Sequence, residues 1–233
     1  MRSSGDMRQE ARLAKAEKIV GILQDARPDA LTGSLCLDLG CGIGVIANHL
    51  GSQGARVVGM ELDWALIRQT PPRFSRVQGD ALWLPFGDAT FDLVICAQVY
   101  EHVGHTGQLI NQIDRVLKPG GICFFSGPNR LWPYEYHYQA WLIHWLPERW
   151  LRKALSLLNR GHLPRVTLYS YWQLRRLWEH LEILDYTLRL VRDPDRFPGA
   201  DAPAWMRHLP RSVLTRLAFA TPNVNWAILK PRD

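Results

Sequence analysis

The chain has 233 residues, 47% of them hydrophobic, enough for one sizeable α/β core with additions. Its formal net charge of +6 admits an anionic partner, and no segment approaches the ~18 uninterrupted apolar residues of a membrane span. The opening MRSSGDMRQEARLAK has no apolar h-region, and Cys36, Cys41, Cys96 and Cys123 sit in or beside strand-like runs without CxxC spacing; the expectation is a cytoplasmic protein with reduced thiols.

Leu13, Ala16, Val20 and Leu23 recur at helical spacing and predict an N-terminal helix over 8–25, ended before Arg27 and Pro28. Residues 35–44, LCLDLGCGIG, then read as a strand carrying Asp38, followed by Gly40, Gly42 and Gly44 at alternate positions. Residues without a Cβ let a ligand lie against main-chain N–H groups. Val45, Ile46, His49 and Leu50 resume helical spacing, so the loop opens a helix whose N-terminus favours an anionic group. Arg56 to Met60 (RVVGM) is a second strand, ending at Glu61 about 20 residues beyond the loop, where a carboxylate can accept from both hydroxyls of a ribose. The other reading of Glu61 is an acid opening the helix Trp64 to Gln69.

Further along come Gln78 to Phe86 (QGDALWLPF) and Phe91 to Val103 (FDLVICAQVYEHV), the latter a buried-looking strand followed by Tyr100, Glu101 and His102. Leu109, Ile110, Ile113, Val116 and Leu117 stripe a helix that stops at Pro119 in VLKPGG, and Ile122 to Ser126 is the next strand. A helix is expected near Tyr169 to Leu181, strand-like runs at Glu182 to Val191 and Asn223 to Lys230, and an amphipathic helix over Trp205 to Phe219.

These segments, in this order, resemble the class I S-adenosylmethionine (SAM)-dependent methyltransferases, in the small-molecule, type 11-like branch. The dinucleotide fingerprint GxGxxG fits less well, because the third glycine comes one residue early and Val45 holds its place. The resemblance implies a Rossmann-like, doubly wound α/β fold as a single domain over 1–233. Its seven-stranded sheet would be mostly parallel with an antiparallel last strand and helices on both faces. Glu182 to Val191 and Asn223 to Lys230 would be the antiparallel sixth and seventh strands closing it. It implies SAM as cofactor and S-adenosylhomocysteine as product. Asp38, Gly40, Cys41, Gly42 and Gly44 would lie at the methionine portion, Glu61 and Leu62 at the ribose, and Asp80, Ala81 and Leu82 at the adenine, with Ala97 at the end of the fourth strand.

Residues 127–165 depart from this pattern and suggest a functional cap. Trp132, Tyr134, Tyr136, Tyr138, Trp141, Trp145 and Trp150 crowd into it. Tyr138, Trp141, Leu142 and Trp145 fall at helical spacing, so the segment reads either as a helix packing its aromatic stripe on the sheet or as a lid over a hydrophobic acceptor. Arg149, Arg152, Lys153, Arg160, Arg165, Arg175 and Arg176 follow with no acid between the first and last. They are either a solvated face or a surface for an anionic acceptor, an anionic membrane or, less favoured, nucleic acid.

Methyl transfer from SAM needs an acceptor held in line behind the methyl group, and a general base where the acceptor must lose a proton. His102 and His105 are the candidate bases; Tyr100, Asn129, Tyr134, His137 and Trp141 are candidate acceptor contacts. No metal is expected, since two histidines alone lack the third and fourth ligands of a stable site. An RNA methyltransferase, a nicotinamide-dependent oxidoreductase and a non-catalytic SAM-binding protein are the rival readings. Oligomeric state is not legible.

Overall fold

A computed structural model describes residues 4–69, 73–159, 166–193, 196–197, 206, 208–210, 212–214 and 218–232. Helix α1 (Ser4–Ala26) leads into strand β1 (Leu35–Leu39), then α2 (Val45–Ser52), β2 (Arg56–Glu61), α3 (Trp64–Ile67), β3 (Ser75–Gln78) and β4 (Phe91–Ala97). Next come α4 (Thr106–Val116), β5 (Leu117–Pro128), a hairpin of β6 (Tyr134–Glu135) and β7 (Ala140–Trp141), and α5 (Glu148–Leu157). The chain closes with α6 (Tyr171–Leu177), β8 (Glu182–Asp185), α7 (Thr187–Arg192) and β9 (Asn223–Leu229).

Seven strands form one sheet in the order β3-β2-β1-β4-β5-β9-β8. The first five pair in parallel, β9 runs antiparallel between β5 and β8, and β8 therefore points the same way as β5. Only the last strand is reversed, which corrects the expectation of two antiparallel closing strands.

Period-two alternation sorts the core residues onto two faces. Cys36, Val57, Leu93, Ile95, Ile122 and Phe124 pack under α1, α2 and α7 through Ile19, Leu23, Ala47, Leu50 and Leu190. Leu37, Leu39, Val94, Cys96, Cys123, Phe125 and Trp226 face the other way, under α4 and α6, against Leu109, Ile113, Leu174 and Trp178. Strands so covered on both sides read as near-continuous apolar runs, as LVICA and ICFF do.

Three expectations change. The run from Glu182 is a strand only as far as Asp185, whose Oδ1 accepts the Thr187 N–H at 2.8 Å and starts α7. This Asp185 side-chain turn, one residue ahead of the Tyr186 N-cap, ends the strand despite the β-propensity of the residues that follow. The N-terminal helix begins at Ser4, four residues before the expected start at 8. The aromatic cap is not a helix at Tyr138 to Trp145. Gln139 and Leu142 have φ of 47° and 58°, and Tyr134 and Trp141 face each other across the hairpin at 5.3 Å, edge to face. Tyr138, Ile143 and Leu155 form a small core of the cap's own, while Trp141, Trp145 and Trp150 stay exposed. Of Trp205 to Phe219, residues 205, 207, 211 and 215–217 lie outside the described residues, as do Arg160 and Arg165.

Candidate active site

The strand order reverses between β1 and β4, so the loops leaving their C-terminal ends diverge and leave a crevice, the usual ligand position in an open α/β sheet. A cavity of about 260 Å³ opens there, lined by Gly40, Met60, Glu61, Leu62, Gly79, Asp80, Ala81, Gln98, Val99, His102 and Val103. Six residues singled out from sequence, Gly40, Glu61, Leu62, Asp80, Ala81 and His102, thus meet in one place from four separate loops.

The glycine loop forms the edge of this cavity and is held from both sides. The Cys41 N–H donates to Met60 O at 3.1 Å, and Glu61 Oε2 accepts the Gly42 N–H at 2.9 Å. Glu61 Oε1 accepts from the N–H groups of Leu62 and Asp63 at 2.9 and 3.2 Å. The helix-opening role belongs instead to Asp63, whose side chain accepts the Ala65 N–H at 2.8 Å. Gly44 has φ of 79°, and a Cβ on it would overlap the Phe74 ring, so glycine is required there on both counts. A Cβ at Gly42 would meet only open space.

Asp38 sits beneath the loop, 1% exposed, with Oδ2 lacking any hydrogen-bond partner. Burial pushes its carboxyl up to about 7, against the pull of the Ala47 N–H and with help from the charge of Glu61. Asp80 Oδ1 accepts the Leu82 N–H at 2.9 Å, which fixes the carboxylate at the cavity wall. Leu82 and Ala97 pack against the core and do not line the cavity.

Carboxylates with no lysine or arginine among the lining residues suit a cationic ligand bearing a ribose diol, and suit the paired phosphates of a dinucleotide poorly. The orphaned Asp38 oxygen, the open space at Gly42 and the two wall carboxylates therefore fit SAM.

A second cavity of about 350 Å³ adjoins through Gln98 and is lined by Gln98, Pro128, Tyr136, His137 and Asn223. Gln98 stands on the boundary with φ of 61°, its Nε2 donating to Asn223 Oδ1 at 3.3 Å. Sequence reasoning missed Gln98 and Asn223, because a left-handed glutamine and a contact across 125 positions leave no local signal, and it counted Tyr136 only among the cap aromatics.

His102 ends a one-turn 3-10 helix, and its ring meets that of His137 edge to face at 5.2 Å. Burial and the neighbouring His137 hold the His102 imidazole below its ordinary range. His137 is raised by its hydrogen bond to Glu135, 2.8 Å from Nδ1 to Oε1. Burial raises Glu135, but the bonds from His137 and the Tyr138 N–H outweigh it and hold it low. Burial pushes Glu101 up to about 7.

Other candidates are placed elsewhere. His105 is exposed at the start of α4 and lines neither cavity. Tyr100 is wholly buried, stacked on Phe125 with its hydroxyl donating to Pro128 O, so it is a core residue and not an acceptor contact. Asn129 is also structural. It donates to Phe219 O and Thr221 O and accepts from the N–H groups of Leu131 and Tyr171, which exhausts its side-chain capacity. Tyr134 and Trp141 pair with each other on the cap hairpin.

Comparison with known proteins agrees with this geometry. The family model described as a methyltransferase domain matches residues 37–125. A probable S-adenosylmethionine-dependent methyltransferase of Mycolicibacterium smegmatis is 37% identical over 41% of this chain and 38% of its own length. A demethylmenaquinone methyltransferase of Corynebacterium kroppenstedtii is 37% identical over 44% of this chain and 46% of its own. The chain thus spans less than half the length of these two relatives. In fold, a SAM-dependent methyltransferase of Mesorhizobium loti superposes with a TM-score of 0.57 at 18% identity, covering 89% of this chain and 95% of the other. With its matched segment holding the glycine loop, Glu61 and Asp80, the chain is similar over residues 37–125 to the methyltransferase domain, and its sheet, in the order described, has the fold of the SAM-dependent methyltransferases.

Proposed function

We propose that the protein transfers a methyl group from SAM to a small-molecule acceptor seated in the second cavity. The observation that carries this reading is the adjacency of the two cavities through Gln98, one walled by Glu61 and Asp80, the other by Tyr136, His137 and Asn223. SAM supplies a methyl group already activated by its sulfonium. The protein's share is then mainly positioning, which can supply much of the acceleration of a two-reactant step.

In this reading Glu61 accepts a ribose hydroxyl with the one lone pair left on Oε2, and Asp80 and the Ala81 N–H read the adenine edge. Gln98 separates donor from acceptor, and His102 stands where the two meet. Calorimetry tests the donor: SAM and S-adenosylhomocysteine should bind and NAD should not, and NAD binding without a response to SAM would overturn the reading.

A hydrophobic acceptor, met at a membrane surface, is favoured by the cap. Trp141, Trp145, Trp150 and Leu157 are exposed, at 68%, 46%, 50% and 79%, and Arg149 and Lys153 lie 5.8 Å from the Trp150 ring centre. Aromatic and basic side chains so mixed suit an anionic lipid interface. The similarity to a protein named for demethylmenaquinone supports the same class of acceptor. Incubation with labelled SAM and fractionated cell extract distinguishes the outcomes: a lipid-phase product supports an apolar acceptor, and an aqueous anionic product assigns the acceptor to the arginines instead.

A further inference from the structure

Glu101 is 1% exposed, and neither of its carboxylate oxygens has a hydrogen-bond partner. An ionisable group in that state is costly unless something compensates it. The Lys15 ammonium acts on it electrostatically without hydrogen-bonding either oxygen. Two imidazoles also stand beside it. His102 Nε2 lies 4.0 Å from Glu101 Oε1, and the ligand atoms of Glu101, His102 and His137 all fall within 4.8 Å of one another. Ligands of a tetrahedral ion bound at ~2.1 Å stand about 3.4 Å apart, so small side-chain rotations suffice to close the set.

Around this trio, Glu135 takes the Nδ1 proton of His137 at 2.8 Å, leaving Nε2 as the electron-pair donor. Metal-bound histidines are commonly oriented in this way by a carboxylate on the other ring nitrogen. Glu135 is itself buried, and the Tyr138 N–H fixes its second oxygen.

We propose that Glu101, His102 and His137 form a binding site for one divalent transition-metal ion, Zn²⁺ or Mn²⁺. Two nitrogens and one oxygen favour such an ion over Mg²⁺. The site lies at the junction of the two cavities, since His102 lines the first and His137 the second. An ion there leaves open positions toward the acceptor cavity and lowers the pKa of an oxygen it holds. The corresponding acceptor class is a hydroxyl compound, a conclusion that rests on the methyl-transfer reading above, whereas the ion site does not. The expectation of no metal stopped at His102 and His105 because Glu101 and His137 are brought together only by the fold.

The test is calorimetric titration of chelator-treated protein with Zn²⁺, Mn²⁺ and Mg²⁺ in turn, with SAM titrated in parallel. One Zn²⁺ or Mn²⁺ per chain is expected, weakened ~tenfold or more in His102→Gln and in His137→Gln. His105→Gln, which changes an exposed histidine outside the set, should leave it unaltered. Glu101→Gln should behave like the histidine variants if it folds; the two half-buried histidines carry the test if it does not. Absence of saturable binding, preference for Mg²⁺, or affinity unchanged in both histidine variants would overturn the site. Loss of SAM binding with the ion retained would instead remove the methyl-transfer reading.

Discussion

Asp38 offers a quantitative test of how the cofactor loop is supported. Its carboxyl is buried under the loop with one oxygen unpartnered, and burial moves it from 3.8 to about 7. Between those values the folded protein keeps a proton that the unfolded chain has already lost. The native state then binds more protons, so stability falls as pH rises across this window and levels off above it. About three units at 1.36 kcal/mol each make the loss on the order of 4 kcal/mol. Asp38→Asn removes the titration while its amide oxygen can still accept the Ala47 N–H. Urea denaturation of both proteins without ligand, in half-unit steps from about pH 4.5 to 8, should show the stability difference shifting in favour of the variant by about 3 kcal/mol, the part of that loss falling above pH 4.5, and then becoming constant. Other carboxylates cancel in the difference, whatever slope each protein shows alone. Parallel curves would refute the burial argument. Cations lower a carboxyl pKa, so SAM binding near pH 6 should release about one proton from the native protein and none from the variant, as calorimetry in buffers of different ionisation enthalpy would report.

Glu61→Ala should weaken SAM by about 1.5–3 kcal/mol, roughly 10- to 150-fold in Kd, and also lower the melting temperature of the ligand-free protein, because the same carboxylate holds the Gly42 N–H. Unchanged SAM affinity would end its ribose assignment; Asp80→Ala should cost affinity with little effect on melting. Gly44→Ala should destabilise by about 1–3 kcal/mol through overlap with Phe74, and Phe74→Leu should recover part of that loss. Asn129→Ala should lower stability, by chemical denaturation, by a few kcal/mol through the ~1–3 kcal/mol cost of each buried group left unpaired; a variant of normal stability but altered acceptor KM would return Asn129 to the acceptor site. Trp150→Ala combined with Arg149→Ala should reduce sedimentation with anionic phospholipid vesicles without changing the melting temperature, since both side chains are exposed. Equal sedimentation would remove the membrane reading.

The donor side of the molecule was readable because its signals are local. Asp38 to Gly44 encodes a turn within seven residues, and Glu61 and Asp80 each stand at the end of a strand or just beyond it, so strand and loop order alone bring them together at the switch point. The β8 to α7 junction was not readable because a single hydrogen bond, from the Thr187 N–H to the Asp185 carboxylate, marks it. Likewise, the aromatic spacing of Tyr138 to Trp145 matches a helix, but backbone turns at Gln139 and Leu142 make it a hairpin. A spacing rule counts positions and is blind to φ.

The second cavity and its surroundings are assembled the opposite way, from residues far apart in the chain. Gln98 meets Asn223, His102 meets His137, and Glu101 lies beside Gly127, where a Cβ would come within 3.4 Å of its carboxylate. Each partner is ordinary in its own neighbourhood, and only packing gives it chemistry. Tyr100 shows the converse: it stands in the motif beside Glu101 and His102, yet its ring fills the core over Gly127 and its hydroxyl anchors Pro128. By fixing the start of the cap, Tyr100 sets where Glu135 and His137 come to lie. A substitution there should therefore disturb acceptor turnover through displaced cap residues, and weaken SAM as well, because Gln98, Val99, His102 and Val103 on either side of it line the cavity of Glu61 and Asp80.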